Sequence, residues 1–175
     1  DGTKLAIGAY NNDGNGANAG HVRVYEAVDL TVTLSVSNTT VAESAGAVTV
    51  TATLNNAAAE CDVTVNLSFS GTATGGGTDY RMSSNSITIS AGTTTGTTTL
   101  TVIDDIIDEN DETVIIDISS VTNAIESGTQ QATVTITDND IPTASNVSAT
   151  TPEDTSVDIT LVGSGAGSLT YSIVS

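Results

Sequence analysis

The chain has 175 residues, of which 38% are hydrophobic, 3% aromatic and 14% charged. The hydrophobic share excludes an acidic disordered tail, because such tails lack the apolar surface that offsets chain entropy. Twenty-one acidic residues against three basic ones give a formal net charge of −18, which excludes nucleic acid and anionic membranes as partners, since both require basic patches. No apolar run approaches the roughly 18 residues of a membrane span.

Short runs of alternating apolar and polar residues follow one another through the middle of the chain. Val, Ile and Leu alternate with Thr and Ser, which is the period of a half-buried β-strand. Seven such runs cover residues 31–37, 47–54, 62–70, 86–90, 97–103, 113–121 and 132–137. No helical periodicity lies between them. The pattern predicts an all-β fold, a seven-stranded antiparallel β-sandwich of the immunoglobulin or fibronectin type with extra flanking strands.

The two flanks differ from this middle region. Residues 1–29 contain one pair of alternating runs around a loop rich in Gly and Asn, and residues 142–175 begin at a proline and start a second pair around a glycine turn. Each flank has too few strands to bury a core of its own. We therefore predict three units: a repeat fragment over 1–29, the sandwich over 30–141, and a linker with a partial repeat over 142–175.

Acidic residues are concentrated in alternate loops of the predicted sandwich. Residues 31–141 contain fourteen acids and one base, Arg81. Strands that run alternately up and down send the loops after the first, third and fifth strands, and the exit of the seventh, to one end. Those segments contain Glu43, Asp79, Asp104, Asp105, Asp108, Glu109, Asp111, Glu112, Asp138 and Asp140. The other three loops contain only Glu60 and Glu126.

Such crowding at one end needs a counterion. Two carboxylates about 4 Å apart repel by about 4 kcal/mol at an effective dielectric constant of 20. Ca²⁺ accepts six to eight oxygen ligands in flexible geometry, whereas zinc prefers His and Cys, which these loops lack. The alternative is a solvated acidic rim, which the clustering disfavours. The number of carboxylates predicts more than one Ca²⁺.

The middle of the chain resembles the Calx-beta domain, a family first described in sodium–calcium exchangers and common in bacterial surface proteins. The matching pieces are VAESAG around Glu43, GTDY over 77–80, the run SITISAGTTTGTTTLTVIDD over 86–105, and TVTITDND over 133–140. The acids after position 103 follow the spacing DDxxxExxE. The resemblance implies a seven-stranded sandwich with calcium at one tip.

Carried over by position, the resemblance also implies which residues bind calcium. The implied ligands are Glu43, Asp79, Asp104, Asp105, Glu109, Glu112, Asp138 and Asp140. A backbone carbonyl near Ile107 is a further candidate, and Asp108 and Asp111 are left as supporting or solvated groups. Asn139 stands where some members of the family have a third acid, which leaves the number of ions open.

Both flanks resemble pieces of other repeats. Residues 8–25 are similar to the end of an FG-GAP repeat, in which Asn11, Asp13 and Asn15 occupy alternate positions as in a calcium loop. Ala19 stands where another acid is expected there, so a turn is the favoured role. Residues 152–175 are similar to the opening of a cadherin-like or immunoglobulin-like bacterial repeat.

These observations predict a non-enzymatic, calcium-binding structural or adhesive module of a large extracellular or cell-surface protein, in contact with neighbouring modules. Calcium is expected to stiffen the tip and the junction at Ile141 and Pro142. Two alternatives stay open: a subunit of an extracellular fibre assembled by strand exchange, and a regulatory calcium sensor.

Two further classes of function are disfavoured. The single histidine, His21, lies in a glycine-rich flank far in sequence from the acids, so no nucleophile–base–orienter set can be assembled for an enzyme. A carbohydrate-binding module usually needs a flat aromatic platform, and the chain has no Trp.

Overall fold

The structure is a computed structural model that describes residues 4–9, 21–26, 29–58, 61–166 and 170, with the backbone alone described for 4–9 and 21–26. The loop with Asn11, Asp13 and Asn15 and the acid Glu60 lie outside the described residues, so the predictions made for them stay predictions. Among the described residues, no helix has the length and apolar character to cross a membrane.

Strands account for nearly all the regular structure in the described residues, with one 3₁₀ turn at Glu43–Ala45. The strands are β1 (Lys4–Ala9), β2 (His21–Glu26), β3 (Thr31–Val36), β4 (Thr40–Ala42), β5 (Ala47–Leu54), β6 (Val63–Gly71), β7 (Tyr80–Met82), β8 (Ser86–Ile89), β9 (Thr95–Val102), β10 (Glu112–Thr122), β11 (Ile125–Glu126), β12 (Gln131–Thr137), β13 (Thr143–Ala144) and β14 (Gly163–Ser164).

Two five-stranded sheets form a sandwich, which confirms the predicted all-β sandwich class. One sheet has the order β4-β12-β10-β6-β8 and the other the order β11-β3-β5-β9-β7. Neighbouring strands are antiparallel except for two pairs at the edges, β4 with β12 and β11 with β3, which are parallel. The pairs β1–β2 and β13–β14 form separate two-stranded sheets.

The core lies between the inner faces of these two sheets. Every second residue of the long strands points inward, as in β5, where Val48, Val50, Ala52 and Leu54 are all buried. Burying a Val, Leu or Ile side chain contributes about 1.5–3 kcal/mol relative to leaving it exposed. The outward positions hold mainly Thr and Ser, which suit an exposed pleated surface. The apolar residues that alternate in the sequence are therefore the residues that are buried in the core.

All seven predicted strands are present, and their ends lie within two residues of the predicted ones. The predicted number of strands in the sandwich was too low, because β4, β7 and β11 were missed. Each of these has only two or three residues, too few to display an alternating pattern. All three lie at sheet edges, where one neighbour suffices.

Pairing also occurs in the flanks. β1 pairs with β2 from Lys4 opposite Glu26 to Ala9 opposite His21, as the two alternating runs predict. In the downstream flank, β13 and β14 are only two residues each. The second strand predicted there, after the glycine turn, falls mostly on residues outside the described set.

Candidate metal centre

One end of the sandwich, called the acidic pole below, is formed by four segments: the turn after β4, the residue before β7, the loop 104–111 between β9 and β10, and residues 138–141 after β12. Strand register brings these segments together. Ala42 of β4 pairs with Thr137 of β12 in a parallel arrangement, so Glu43 and Asp138 continue side by side. The predicted convergence of acids at one end is therefore present in the fold.

The second pair of neighbouring segments is set by β7 and β9. Tyr80 pairs with Val102, and the Ile103 amide donates a hydrogen bond to the Asp79 carbonyl at 2.9 Å. Asp79 thus lies where loop 104–111 begins. Glu112, the first residue of β10, pairs with Ile136 and lies near the exit of β12.

Glu43, Asp138 and Asp140 form the first of two carboxylate groups at this pole. One oxygen from each lies within 4.8 Å of the others. Glu43 is only 6% exposed, and the two aspartates are half-buried. Asp138 also organises the backbone around it, since its Oδ2 accepts a hydrogen bond from the Glu109 amide at 3.1 Å and its Oδ1 accepts one from the Asp140 amide at 3.2 Å.

Asp79, Glu109 and Glu112 form the second group, again with one oxygen from each within 4.8 Å of the others. Asp79 is 7% exposed, and the two glutamates are half-buried. The Thr74 amide donates a short hydrogen bond to Asp79 Oδ2. The Glu112 and Asp79 carboxyl groups are close enough for the charge of Asp79 to act on Glu112.

Asp104 and Asp105 belong to neither group, although the sequence placed them among the ligands. Both are exposed. Asp105 Oδ1 accepts a hydrogen bond from the Ile107 amide at 2.7 Å, which fixes the start of the loop. Their charges nevertheless reach the groups, because Asp105 acts on Glu43 and Glu109, and Asp104 acts on Asp140.

Burial and charge crowding raise the pKa of several of these acids. Desolvation, followed by the charges of Asp138, Asp105, Glu109 and Asp140, raises the pKa of Glu43 to about 7. Desolvation, followed by the hydrogen bond and charge of Asp79, raises the pKa of Glu112 to about 7. The pKa values of Glu109 and Asp140 are raised for the same reasons, burial first and neighbouring charges second. The pole therefore resists full ionisation.

Two buried carboxylate oxygens at the pole have no hydrogen-bond partner within the described part of the chain. Glu43 Oε2 and Asp140 Oδ2 are both buried, and both belong to the first group. An unpaired buried acceptor costs about 1–3 kcal/mol, and more when it is charged. A bound cation would satisfy both oxygens at once. Because the two groups offer only oxygen ligands, they fit a hard divalent ion such as Ca²⁺ and not zinc.

Asn139 has a role that the sequence did not indicate. Its side-chain Oδ1 accepts a hydrogen bond from the Ser44 amide at 3.2 Å, which ties the exit of β12 to the 3₁₀ turn that carries Glu43. The sequence interpretation treated Asn139 only as a missing acid. An Asn between two aspartates at the end of a strand is a typical backbone-binding residue, and that was the available signal.

A model of the Calx-beta domain family matches residues 26–140, about two thirds of the chain. The crystal structure of the apo-form Calx CBD1 domain aligns with a TM-score of 0.53 and 24% identity, covering 63% of this chain and 99% of that one. No curated protein matches the chain.

Two larger structures are also similar. CBD12 from CALX1.2 aligns with a TM-score of 0.51 and 21% identity, covering 65% of this chain and 49% of that one. The calcium binding domain CBD12 of CALX1.1 aligns with a TM-score of 0.52 and 26% identity, covering 59% of this chain and 42% of that one. This chain thus spans less than half of either relative. The FG-GAP-like and cadherin-like flanks gain no support from these comparisons.

Proposed function

The chain belongs to the Calx-beta domain family, and from that premise we propose that its sandwich is a calcium-binding structural module whose acidic pole is held together by Ca²⁺. The observation that carries the proposal is the pair of three-carboxylate groups, each assembled from segments distant in sequence. One of the similar structures is itself named a calcium binding domain.

We assign one ion to each group. Glu43, Asp138 and Asp140 would hold the first ion, and Asp79, Glu109 and Glu112 the second. The charge of Asp105 acts on both groups and that of Asp104 acts on the first, and these two are the ligands expected to join when the loop adjusts. Ca²⁺ tolerates such variable coordination, because it accepts six to eight oxygens without a strict geometry.

The ion supplies positive charge at the point where the loops meet. Without it, each pair of ionised carboxylates about 4 Å apart repels by about 4 kcal/mol at an effective dielectric constant of 20. The two ions together hold residues from four segments, so cation binding is linked to the folding of the pole. Asp140 is followed directly by Ile141 and Pro142, so the same linkage extends to the junction with the downstream segment.

The proposed setting is outside the cell. What supports it is the charge of −18 together with an all-oxygen site. Modules of extracellular proteins bind calcium with dissociation constants of about 10⁻⁴ to 10⁻³ M, an affinity sufficient for occupancy in calcium-rich extracellular fluid. In that setting we propose an adhesive or structural role beside neighbouring modules, and no catalytic role.

A regulatory sensor is the second candidate, favoured by the similarity to the CBD12 structures. A fibre subunit assembled by strand exchange is a third, for which the separate β1–β2 pair is the supporting feature. Affinity separates the first two candidates, because sensors bind calcium at about 10⁻⁷ to 10⁻⁵ M. Light scattering with mass spectrometry of native material tests the third.

Isothermal titration with calcium tests the proposal. We expect binding of at least two ions to the wild-type chain, and loss of one binding event in Asp138→Asn. The matched control is Asp117→Asn, which makes the same change in charge on the face of β10, where Asp117 accepts a hydrogen bond from Gln131 at 3.1 Å. Equal titrations of the two variants would refute the assignment.

A further inference from the structure

The downstream pair β13–β14 lies against the acidic pole. Asp108 Oδ2, in loop 104–111, accepts a hydrogen bond from the Ala166 amide at 2.6 Å, across 58 positions of sequence. Charge-assisted hydrogen bonds of this length are among the stronger contacts that a surface carboxylate makes. This bond joins the loop of the sandwich to a segment that the family match, ending at residue 140, does not include.

The pair itself is held by strand pairing and by contacts at its ends. Thr143 is in register with Ser164, and their hydroxyl oxygens lie 2.7 Å apart. The Ser145 amide donates to the Val162 carbonyl at 2.9 Å. These contacts bring residue 166 back to the end of the sandwich, although the chain leaves that end at Pro142.

Gly165 allows the close approach. A Cβ atom at this position would lie 2.7 Å from the Pro142 Cβ and 2.8 Å from Asp108 Oδ2. Neither distance is compatible with non-bonded contact, and proline cannot move aside easily because its ring is rigid. A side chain at position 165 would therefore separate the segment from the pole.

These contacts close a ring through the first carboxylate group. Asp138 binds the Glu109 amide with one oxygen and the Asp140 amide with the other. From Glu109 the ring continues through Asp108 to Ala166, and from Asp140 it continues along the chain through Pro142 to β13. Asp138 therefore helps to position both segments that contact the cap: loop 104–111, through Glu109, and the chain leading into β13, through Asp140.

We propose that residues 163–166 form a cap that Asp108 docks onto the acidic pole, and that docking of the cap and cation binding at the pole strengthen each other. The second half of this inference rests on the proposed calcium function. A cation bound by Asp138 fixes the two segments that contact the cap and so favours docking. By thermodynamic reciprocity, a docked cap must raise the affinity for the cation by the same factor by which the cation favours docking. Asp108 is accordingly a positioning residue and not a calcium ligand.

Docking can be measured without calcium. In chelator, amide hydrogen exchange followed by NMR should be about tenfold slower at Ala166 in the wild-type chain than in Asp108→Ala or Gly165→Ala, because a docked amide exchanges only when it opens. Asp117→Ala is the control, since it removes a charge from β10, where Asp117 accepts a hydrogen bond from Gln131, without touching Asp138 or the cap. Equal exchange at Ala166 in the wild type and both cap variants would show that the cap does not dock.

Coupling is then measured by calcium titration of Gly165→Ala, which leaves every charge in place. We expect its calcium affinity to be about fivefold weaker than that of the wild type, at the low end of couplings between sites. The control is Ala149→Gly, at an exposed position of the downstream segment outside the cap, which should leave the affinity unchanged. Equal affinities would overturn the coupling and leave the calcium function intact. A wild type that binds no calcium overturns the proposed function, while the chelator measurement still decides whether the cap docks.

Discussion

Acids at the two ends of the sandwich have different surroundings. At the end opposite the acidic pole, Asp62 Oδ1 accepts a hydrogen bond from the Ala91 amide at 2.9 Å, and Glu126 Oε1 accepts one from the Gln130 amide. Both acids are satisfied by the backbone. At the acidic pole, Glu43 and Asp140 each keep one buried oxygen without a partner.

The two ends differ in how many backbone amides are available for each carboxylate oxygen. The acidic pole also uses backbone amides, as the bonds to Asp79, Asp105 and Asp138 show. Its carboxylate oxygens outnumber the amides that reach them. Isolated acids that bind backbone amides stabilise loops, whereas a surplus of carboxylates at one point destabilises the fold until a cation arrives. The comparison therefore distinguishes acids that stabilise loops through backbone hydrogen bonds from acids that need a bound cation.

The largest expected effect is that of calcium itself. At about 10 mM calcium, roughly 100 times a dissociation constant of 10⁻⁴ M, a bound ion stabilises the native state by about 2.7 kcal/mol, which raises the melting temperature of a domain of this size by about 10 °C. Calorimetric melting in calcium and in chelator measures the difference. Identical melting curves in calcium and in chelator would show that the acids of the acidic pole do not need a cation, and the two ends would then not differ in this respect.

Neutralising one acid at each end should change stability in opposite directions. In chelator, Glu43→Gln relieves a buried, repelled carboxylate, so we expect the free energy of unfolding to rise by about 1 kcal/mol. Asp62→Ala removes the acceptor of the Ala91 amide and should lower it by about 1 kcal/mol. Urea unfolding of both variants measures this. A loss of stability in both would mean that Glu43 serves the fold as Asp62 does.

Stability in chelator should fall as pH rises from about 5 to 8. The folded-state pKa values of Glu43 and Glu112 are about 7, above the ordinary value of 4.5. The folded state therefore binds more protons than the unfolded state between these limits, and it loses stability as pH rises. The loss is absent below the ordinary value and complete above the folded value. Urea unfolding across this range measures it.

Two conditions should flatten that pH profile. Replacing both residues, in Glu43→Gln with Glu112→Gln, removes the two groups whose pKa values are raised to about 7. Saturating calcium binds the ionised form and lowers their pKa values. A profile that is the same in calcium and in chelator would contradict the assignment of these acids to the site.

The smallest expected effect is at Asn139. Asn139→Asp keeps an acceptor for the Ser44 amide and adds a charge beside Asp138 and Asp140. In chelator the variant should lose less than about 1 kcal/mol of stability, and its calcium affinity should rise a few-fold, which titration calorimetry resolves. An affinity below that of the wild type would show that repulsion between the added carboxylate and the neighbouring acids outweighs its attraction for the ion.

Much of this architecture follows from the sequence, since alternation of Val, Ile and Leu with Thr predicted all seven long strands. Because alternate loops of such a sandwich lie at the same end, the positions of the acids in the sequence then predicted that they meet at one end. Edge strands such as β7 were not predictable, because three residues carry no period.

The sequence predicted that an acidic pole exists, but it did not predict how the acids are grouped within it. Of the eight predicted ligands, six lie in the two groups, and Asp104 and Asp105 lie outside them. Spacing alone cannot distinguish these cases, because the loop 104–111 has no regular structure. The role of Asp108 depends on a residue 58 positions away, which no local pattern reveals. The ligand assignments and the boundaries at 29 and 141 stay predictions.

A crystal structure of the chain grown with millimolar calcium tests the central claim most directly. We predict one ion bound by Glu43, Asp138 and Asp140 and another bound by Asp79, Glu109 and Glu112. Density showing only water between those six carboxylates at saturating calcium would contradict the account.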